Sequence, residues 1–168
     1  LRDKGWFDEQ GIPPPNLADL LDLVALGTVA DVVPLDANNR ILTWQGLSRI
    51  RAGKCRPGIK ALLEISNRDP QKLAASDLGF ALGPRLNAAG RLDDMSVGVA
   101  LLLCDNIGDA RVLASELDAL NQTRKEIEQG MQTEALTLCE KLERSSETLP
   151  GGLAMYHPEW HQGVVGIL

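Results

Sequence analysis

Apolar residues in the first part of the chain recur three and four positions apart, which is the spacing of one helix face. This spacing predicts helices over residues 17–26, 40–52 and 57–65. Gly27 is expected to end the first of them, since glycine commonly follows the last turn of a helix. A short run rich in β-branched residues comes next, and it contains a single carboxylate, that of Asp31.

The second part of the chain shows a longer helical pattern. A short helix is expected over 76–82 and a buried one over 96–104, whereas the glycine, proline and alanine of 83–92 indicate a loop that a ligand or another backbone can approach closely. From 109 to 144 the apolar positions form one narrow seam, which predicts one long helix or two helices in series. A helix of about 50 Å, at about 1.5 Å per residue, is longer than a small domain needs. We interpret it as a connector between two domains, with Gly130 as a weak point near its middle.

The last residues carry a different pattern. A polar break over 145–150 places a domain boundary near Pro150, residues 151–156 have strand character, and a loop over 157–163 leads into another apolar element. The fold class predicted is therefore α/β and helix-rich, with a long connector helix between the end of one α/β domain and the first strand of a second. Because the chain stops inside an apolar run, we expect an internal fragment of a longer protein.

Composition narrows the class of protein. A chain of 168 residues with 44% hydrophobic and 24% charged residues is typical of a domain with a buried core, not of a disordered tail. The net charge of −6 disfavours nucleic-acid binding through an overall positive field but leaves room for a local patch. Three cysteines without a C-x-x-C pair favour a reducing, cytoplasmic setting over a zinc site. The longest apolar stretch, 20–33, includes two acidic residues and is too short to span a membrane.

Two groups of basic residues could bind phosphate. The window 37–63 contains no acidic residue, and phosphate binding and a solvated helix face remain equally open for it. Its basic residues are Arg40, Arg49, Arg51, Lys54, Arg56 and Lys60. In the second group, Arg85 and Arg91 flank Asn87 among small residues. These two arginines could clamp a phosphate or pair with the nearby acids at 93 and 94, and the first interpretation is favoured.

Histidines and a lone carboxylate are the remaining candidates. His157 and His161 lie four residues apart, but Pro158 argues against a continuous helix and no third metal ligand is near. A hydrogen bond from a loop histidine to a phosphate is therefore favoured over zinc binding. From its spacing alone, Asp31 is more often a cap or a surface residue than a metal ligand.

Three segments in order resemble the DHH phosphoesterase family. Residues 26–35 (LGTVADVVPL) are similar to the last metal-binding motif of its catalytic core. Residues 83–91 (GPRLNAAGR) are similar to the signature that follows in its nuclease members, and residues 160–167 (WHQGVVGI) to the opening of the DHH-associated second domain (DHHA1). The resemblance implies that 1–108 is the C-terminal part of the catalytic domain, 109–149 the connector helix and 150–168 the start of the second domain.

The resemblance also implies an activity. It is that of a 5′→3′ exonuclease, specific for single-stranded DNA, that works in recombination and repair with Mn²⁺ or Mg²⁺. It makes Asp31 a metal ligand, and it makes Arg85, Asn87 and Arg91 contacts of DNA phosphates. His161 would bind the substrate near the scissile bond as a catalytic residue. Single-stranded DNA is the implied substrate, with a single-strand-binding protein and a helicase as partners and no membrane association.

The motif that names the family and its other aspartates are absent from the sequence. One carboxylate cannot hold two metal ions, so we expect the isolated chain to be inactive. Three alternatives stay open: a phosphoesterase of the same fold that acts on short oligonucleotides or nucleotides, a non-catalytic scaffold derived from it, and a helical interaction module built on 109–144.

Overall fold

The structure is a computed structural model that describes residues 2–145 and 151–168. The α-helices are α1 (Trp6–Glu9), α2 (Leu21–Ala30), α3 (Ala37–Arg51), α4 (Pro57–Ile65), α5 (Ala75–Asp77), α6 (Gly83–Leu92), α7 (Ser96–Leu103) and α8 (Ile107–Ser145). Shorter 3-10 helices occupy Arg2–Lys4, Leu17–Leu20, Pro70–Lys72 and Val165–Ile167, and a π-helical turn occupies Leu78–Leu82.

One apolar core joins most of these helices. Helix α2 packs along α3, and α4, α6 and α7 pack against α8. The helix predicted over 57–65 is confirmed as α4: Ile59, Leu62 and Leu63 on one of its faces are fully buried, and Pro57 occupies its first turn. Burying each of these side chains contributes about 1.5–3 kcal/mol to the hydrophobic stabilisation of the fold.

Two glycines let helix backbones come into direct contact. A Cβ added to Gly46 of α3 would lie 2.1 Å from the carbonyl oxygen of Leu21, and one added to Gly58 of α4 would lie 2.2 Å from that of Leu101. No side chain fits at such distances. These two positions therefore fix how closely α3 approaches α2 and how closely α4 approaches α7.

The first predicted helix has different ends in the structure. It does not stop at Gly27 but continues to Ala30, so the β-branched run before Asp31 is helical. Burial explains the difference: Ala25 and Leu26 lie in the core, which outweighs the modest cost of one glycine inside a helix. The end of α3 lies within one residue of the predicted one, and Gly53 adopts the left-handed conformation with φ +73° just after the C-cap.

The glycine-rich segment 83–92 is a helix, and its prediction as a loop was wrong. Pro84 lies in the first turn, where its missing N–H costs nothing. The small residues Ala88 and Ala89 are fully buried, and α6 packs against α8. The small side chains of this segment allow α6 to pack closely against α8, and they do not mark a loop. Helix α7 is also less buried than predicted, because Val99 and Leu103 on its outer face are exposed.

The long helix is confirmed. Helix α8 runs without interruption for 39 residues through Gly130, a length of about 58 Å at about 1.5 Å per residue. Its first half faces the core through Ala110, Ala114 and Leu117. The domain boundary expected near Pro150 lies outside the residues that the structure describes.

The strand predicted over 151–156 is not formed in the described residues, nor does any other described segment adopt β-structure. A strand needs a neighbouring backbone for its hydrogen bonds, and none of the described segments pairs with this one. The described part of the fold is therefore helical rather than α/β. None of its helices combines the length and the apolar character needed to cross a membrane.

Candidate nucleic-acid interface

Asp31 sits at the C-terminal end of α2 in a turn of defined geometry. The N–H of Val33 donates to the carbonyl oxygen of Thr28 (3.0 Å), and the N–H of Val32 donates to that of Val29 (3.2 Å). These bonds form a Schellman motif, whose left-handed position is usually glycine. Here it is Val32, with φ 54°, although a β-branched residue is strained in this conformation. The turn leaves the Asp31 side chain exposed at the end of the helix.

A complete metal centre is not present among residues 2–145 and 151–168. No three His, Cys, Asp or Glu side chains in this part of the chain are grouped to hold an ion. The carboxylate oxygens of Asp31 suit Mg²⁺ or Mn²⁺ chemically, but one carboxylate is not a site. The residues present therefore supply one candidate ligand, and they do not by themselves fit a bound ion.

The end of α2 lies against the start of α6. A Cβ on Gly83 would be 3.2 Å from the Cβ of Ala30, and one on Gly79 would be 3.3 Å from a methyl carbon of Val29. The fold thus brings Asp31 next to the arginine-containing helix, although about fifty residues separate them in the sequence. Two of the segments that carry the family resemblance are neighbours in space.

Arg85 is part of the packing between α6 and α8. Its Nε donates to a carboxylate oxygen of Asp118 at 2.7 Å, and its Nη1 donates to the carbonyl oxygen of Ala81 at 2.7 Å. The side chain is only 16% exposed. Arg85 therefore anchors α6 to the long helix, and less of its guanidinium is left for a phosphate than the sequence pattern indicates.

Asn87 and Arg91 share one face of α6, since they lie four residues apart on a helix. Together they line a cavity of about 200 Å³. Among the described residues, Pro84, Arg124 and Ile167 also line it. The structure thus brings together two of the three predicted phosphate contacts, and it adds Arg124 of α8, which sequence reasoning missed.

Arg91 also holds the C-terminal segment in place. Its Nη1 donates to the carbonyl oxygen of Gly163 at 2.9 Å. In return, the backbone of Gly163 packs on that of Arg91 so closely that an added Cβ would lie 2.1 Å from the Arg91 carbonyl oxygen. Residues 160–168, which hold the third segment of the resemblance, therefore dock on the C-terminal end of α6.

His161 has one ring nitrogen committed. Its Nδ1 accepts a hydrogen bond from the N–H of Gly163 at 3.1 Å. In the neutral ring the proton is therefore on Nε2, which can donate to a ligand oxygen. Beside it, the indole N–H of Trp160 donates to Glu134 of α8 at 2.9 Å. His157 accepts from the N–H of Glu159 instead, so the two histidines have separate partners.

Most arginines of the basic window 37–63 are paired within the fold. Arg49 pairs with Asp19 and Arg56 with Asp22, while Arg51 donates twice to the carbonyl oxygen of Leu73. Asp22 is 2% exposed and also accepts from the N–H of Arg56 at 2.8 Å. These pairings indicate that the arginines of this window stabilise the fold rather than bind phosphate. They also identify Asp22 as a buried carboxylate, which the sequence analysis did not predict.

Cys55 lies close to this buried carboxylate. Both residues line a cavity of about 440 Å³ between the ends of α2, α3 and α4. Burial raises the pKa of the Cys55 thiol, and the nearby charge of Asp22 raises it further. The thiol therefore stays protonated at pH values where an exposed cysteine would begin to ionise.

A sequence signal for Arg124 does exist. It follows Leu117 and Leu120 and precedes Ile127 and Met131 at the same alternating spacing, so it is a charged residue in an apolar seam. Its side chain is only 12% exposed. A largely buried charge needs a partner of opposite charge or hydrogen-bond acceptors. A charged residue within an apolar seam is therefore a sequence signal for a functional or paired side chain.

The fold matches that of solved nuclease structures. Two crystal structures of RecJ from Thermus thermophilus, one in complex with Mg²⁺ and one with Mn²⁺, superpose with TM-scores of 0.76 and 0.77 at 35% and 34% identity. Each match covers 96% of this chain and 24% or 23% of the RecJ chain. The helical architecture described above is thus that of one segment of these proteins.

Curated relatives agree with the structures. The single-stranded-DNA-specific exonucleases RecJ of Salmonella typhimurium and Escherichia coli are 95% and 91% identical over all 168 residues. Over its whole length the chain is thus similar to one segment of these RecJ proteins, and it spans 29% of the length of the two relatives. No protein-family model matches it.

Proposed function

We propose that this chain forms part of the DNA-binding cleft of a 5′→3′ exonuclease that hydrolyses single-stranded DNA in recombination and repair. The observation that carries the proposal is the cavity where Asn87 and Arg91 of α6 meet the docked segment 160–168. The names of the relatives, which cover this segment at high identity, support the choice of substrate.

The residues of this chain have distinct tasks in the proposal. The amide of Asn87 and the guanidinium of Arg91 donate hydrogen bonds to non-bridging phosphate oxygens, which gives affinity without base specificity. Nε2 of His161 donates to the phosphate near the scissile bond and stabilises negative charge there. Arg85 positions α6 through Asp118, and contact with a phosphate is a secondary task for it.

Asp31 supplies one carboxylate of a Mn²⁺ or Mg²⁺ site, in line with the two metal-bound RecJ structures. The other ligands come from parts of the protein beyond this segment, because the described residues offer no complete set. We therefore expect the isolated segment to be inactive.

The domain arrangement that fits this activity has three parts. Residues 1–108 form the C-terminal part of a DHH-type catalytic domain, 109–149 connect the domains through α8, and 150–168 begin a DHHA1-type domain. The cleft then lies where α6 meets residues 160–168. The proposal also includes a cytoplasmic location, with a single-strand-binding protein and a helicase as partners. The three free cysteine thiols are in line with that location, because the cytoplasm is reducing.

A series of substrates tests the proposal. The experiment uses the full-length protein, which here means this segment within a chain of the relatives' length. Single-stranded DNA of increasing length, labelled at either end, is compared with duplex DNA in the presence of Mn²⁺. We expect release of 5′-terminal nucleotides from long single strands and little from duplex. Preference for dinucleotides would instead favour a phosphoesterase of short substrates, and absence of hydrolysis with retained DNA binding would favour a scaffold.

A further inference from the structure

Arg124 is the least explained charged residue near the proposed cleft. It lies on α8, and its guanidinium pairs with Glu128 one turn further along the same helix. Its Nη2 reaches the side-chain oxygen of Asn121 at a long 3.3 Å. Its Nε is fully enclosed and has no hydrogen-bond acceptor in the described structure. A largely buried guanidinium is thus incompletely satisfied, which is costly unless another acceptor becomes available.

The surroundings of Arg124 favour an anion as that acceptor. Arg124 and Arg91 line the same cavity of about 200 Å³, together with the amide of Asn87. The other lining residues, Pro84 and Ile167, are apolar, so none of the described residues that line the cavity carries a carboxylate. Glu128 compensates Arg124 but is not among the lining residues. Two positive side chains therefore line one small space, and no negatively charged side chain among the described lining residues balances them there.

We propose that Arg124 is a further phosphate-contacting residue of this cleft, and that Glu128 holds its guanidinium in place until DNA enters. The inference rests on the proposed function, because the phosphate is one of the backbone of single-stranded DNA. On binding, the guanidinium exchanges part of its pairing with Glu128 for two hydrogen bonds to non-bridging oxygens, which its planar fork matches better than a lysine would. The connector helix then contributes directly to the DNA path.

Three substitutions in the full-length protein separate this role from a structural one. Arg124→Gln removes the charge that faces the cavity. Lys125→Gln is the matched control, because it removes the same charge from the next, exposed position of the same helix. Glu128→Gln removes the partner of Arg124 and leaves its guanidinium free to bind phosphate. Each variant is assayed for its affinity to labelled single-stranded DNA without added metal, at a series of salt concentrations, and for its melting temperature.

The expected results differ between the variants. Arg124→Gln should weaken DNA binding by about tenfold and reduce the slope of log affinity against log salt by about 0.7, the change for one lost phosphate contact on a single strand. Lys125→Gln should leave both values unchanged. Glu128→Gln should keep the wild-type affinity or increase it. Should Arg124→Gln fail to fold, Arg124→Lys serves in its place, and it should keep the salt slope while it binds DNA more weakly.

Other outcomes would overturn the inference. If the ion pair were purely structural, Arg124→Gln and Glu128→Gln would weaken binding equally, through lost stability, with an unchanged salt slope. Wild-type affinity in Arg124→Gln would also exclude the contact. A wild-type protein that does not bind single-stranded DNA at all would refute the proposed function itself, which is a different result from an unaffected variant.

Discussion

Substitution of Gly163 by alanine should loosen the docking of residues 160–168 on α6. The new Cβ would lie 2.1 Å from the carbonyl oxygen of Arg91, whereas carbon and oxygen atoms in contact stay more than about 3 Å apart. The segment must therefore move by about 1 Å. That movement breaks the hydrogen bond from Arg91 to the Gly163 carbonyl oxygen, now 2.9 Å long.

The magnitude follows from these two effects. A hydrogen bond from a charged donor contributes about 1.5–3 kcal/mol, and forced overpacking costs about 1–3 kcal/mol. Because the segment can relieve the overlap by leaving its place, we expect the docked state to lose about 1.5–3 kcal/mol, which corresponds to an increase of about 10- to 150-fold in local opening.

Hydrogen exchange in the full-length protein measures this directly. The amides of Val164, Val165 and Ile167, which are hydrogen-bonded within the segment, should exchange faster by that factor in Gly163→Ala. Gly166→Ala is the matched control, since a Cβ there meets nothing within 4 Å. Equal exchange rates in the two variants would refute the reasoning, because the close approach of Gly163 to Arg91 would then have no energetic consequence.

Three further predictions concern the fold around the cleft. Val32→Gly should stabilise the protein by about 1 kcal/mol, because it removes the strain of a β-branched residue in the left-handed position after Asp31. Urea denaturation measures the change in the free energy of unfolding, and Val33→Gly, which should destabilise the protein, is the control. Arg85→Ala should lower the free energy of unfolding by about 1–2 kcal/mol, since Asp118 loses its partner; an unchanged denaturation midpoint would contradict the anchoring role. Cys55 should react with iodoacetamide at pH 8 more slowly than a model thiol, because burial and Asp22 raise its pKa. A reaction rate equal to that of the model thiol would exclude the raised pKa. Because the thiol ionises at a lower pH in the unfolded chain than in the folded one, the folded state should also lose stability as the pH rises above the ordinary thiol pKa.

The sequence predicts most of the helices, because helical periodicity records which face of a helix is buried. The bounds of α4 and nearly the whole length of α8 were found in this way. The same rule fails for α6, where glycine, proline and alanine resemble a loop although they serve close packing against α8. Local propensity cannot reveal this, since the reason lies on another element of the fold.

The site could be predicted only in part. Motif order pointed to Asn87 and Arg91, and the structure places both on one cavity. The contact between Arg91 and Gly163 joins residues 72 positions apart, and the pairing of Arg85 with Asp118 joins residues 33 apart. Such partners are set by the packing of helices and leave no local trace in the sequence. The roles of Asp31 and His161 in catalysis stay predictions.

Nucleotide release by an Asp31 variant tests the central claim most directly. The full-length protein, its Asp31→Ala variant and the control Asp105→Ala, which changes an exposed carboxylate before α8, are incubated with 5′-labelled single-stranded DNA and Mn²⁺. The account predicts that Asp31→Ala loses nucleotide release while it keeps its fold and its affinity for DNA, and that Asp105→Ala behaves as the wild type. Equal release by the wild type and Asp31→Ala would contradict the assignment of Asp31 to the metal site.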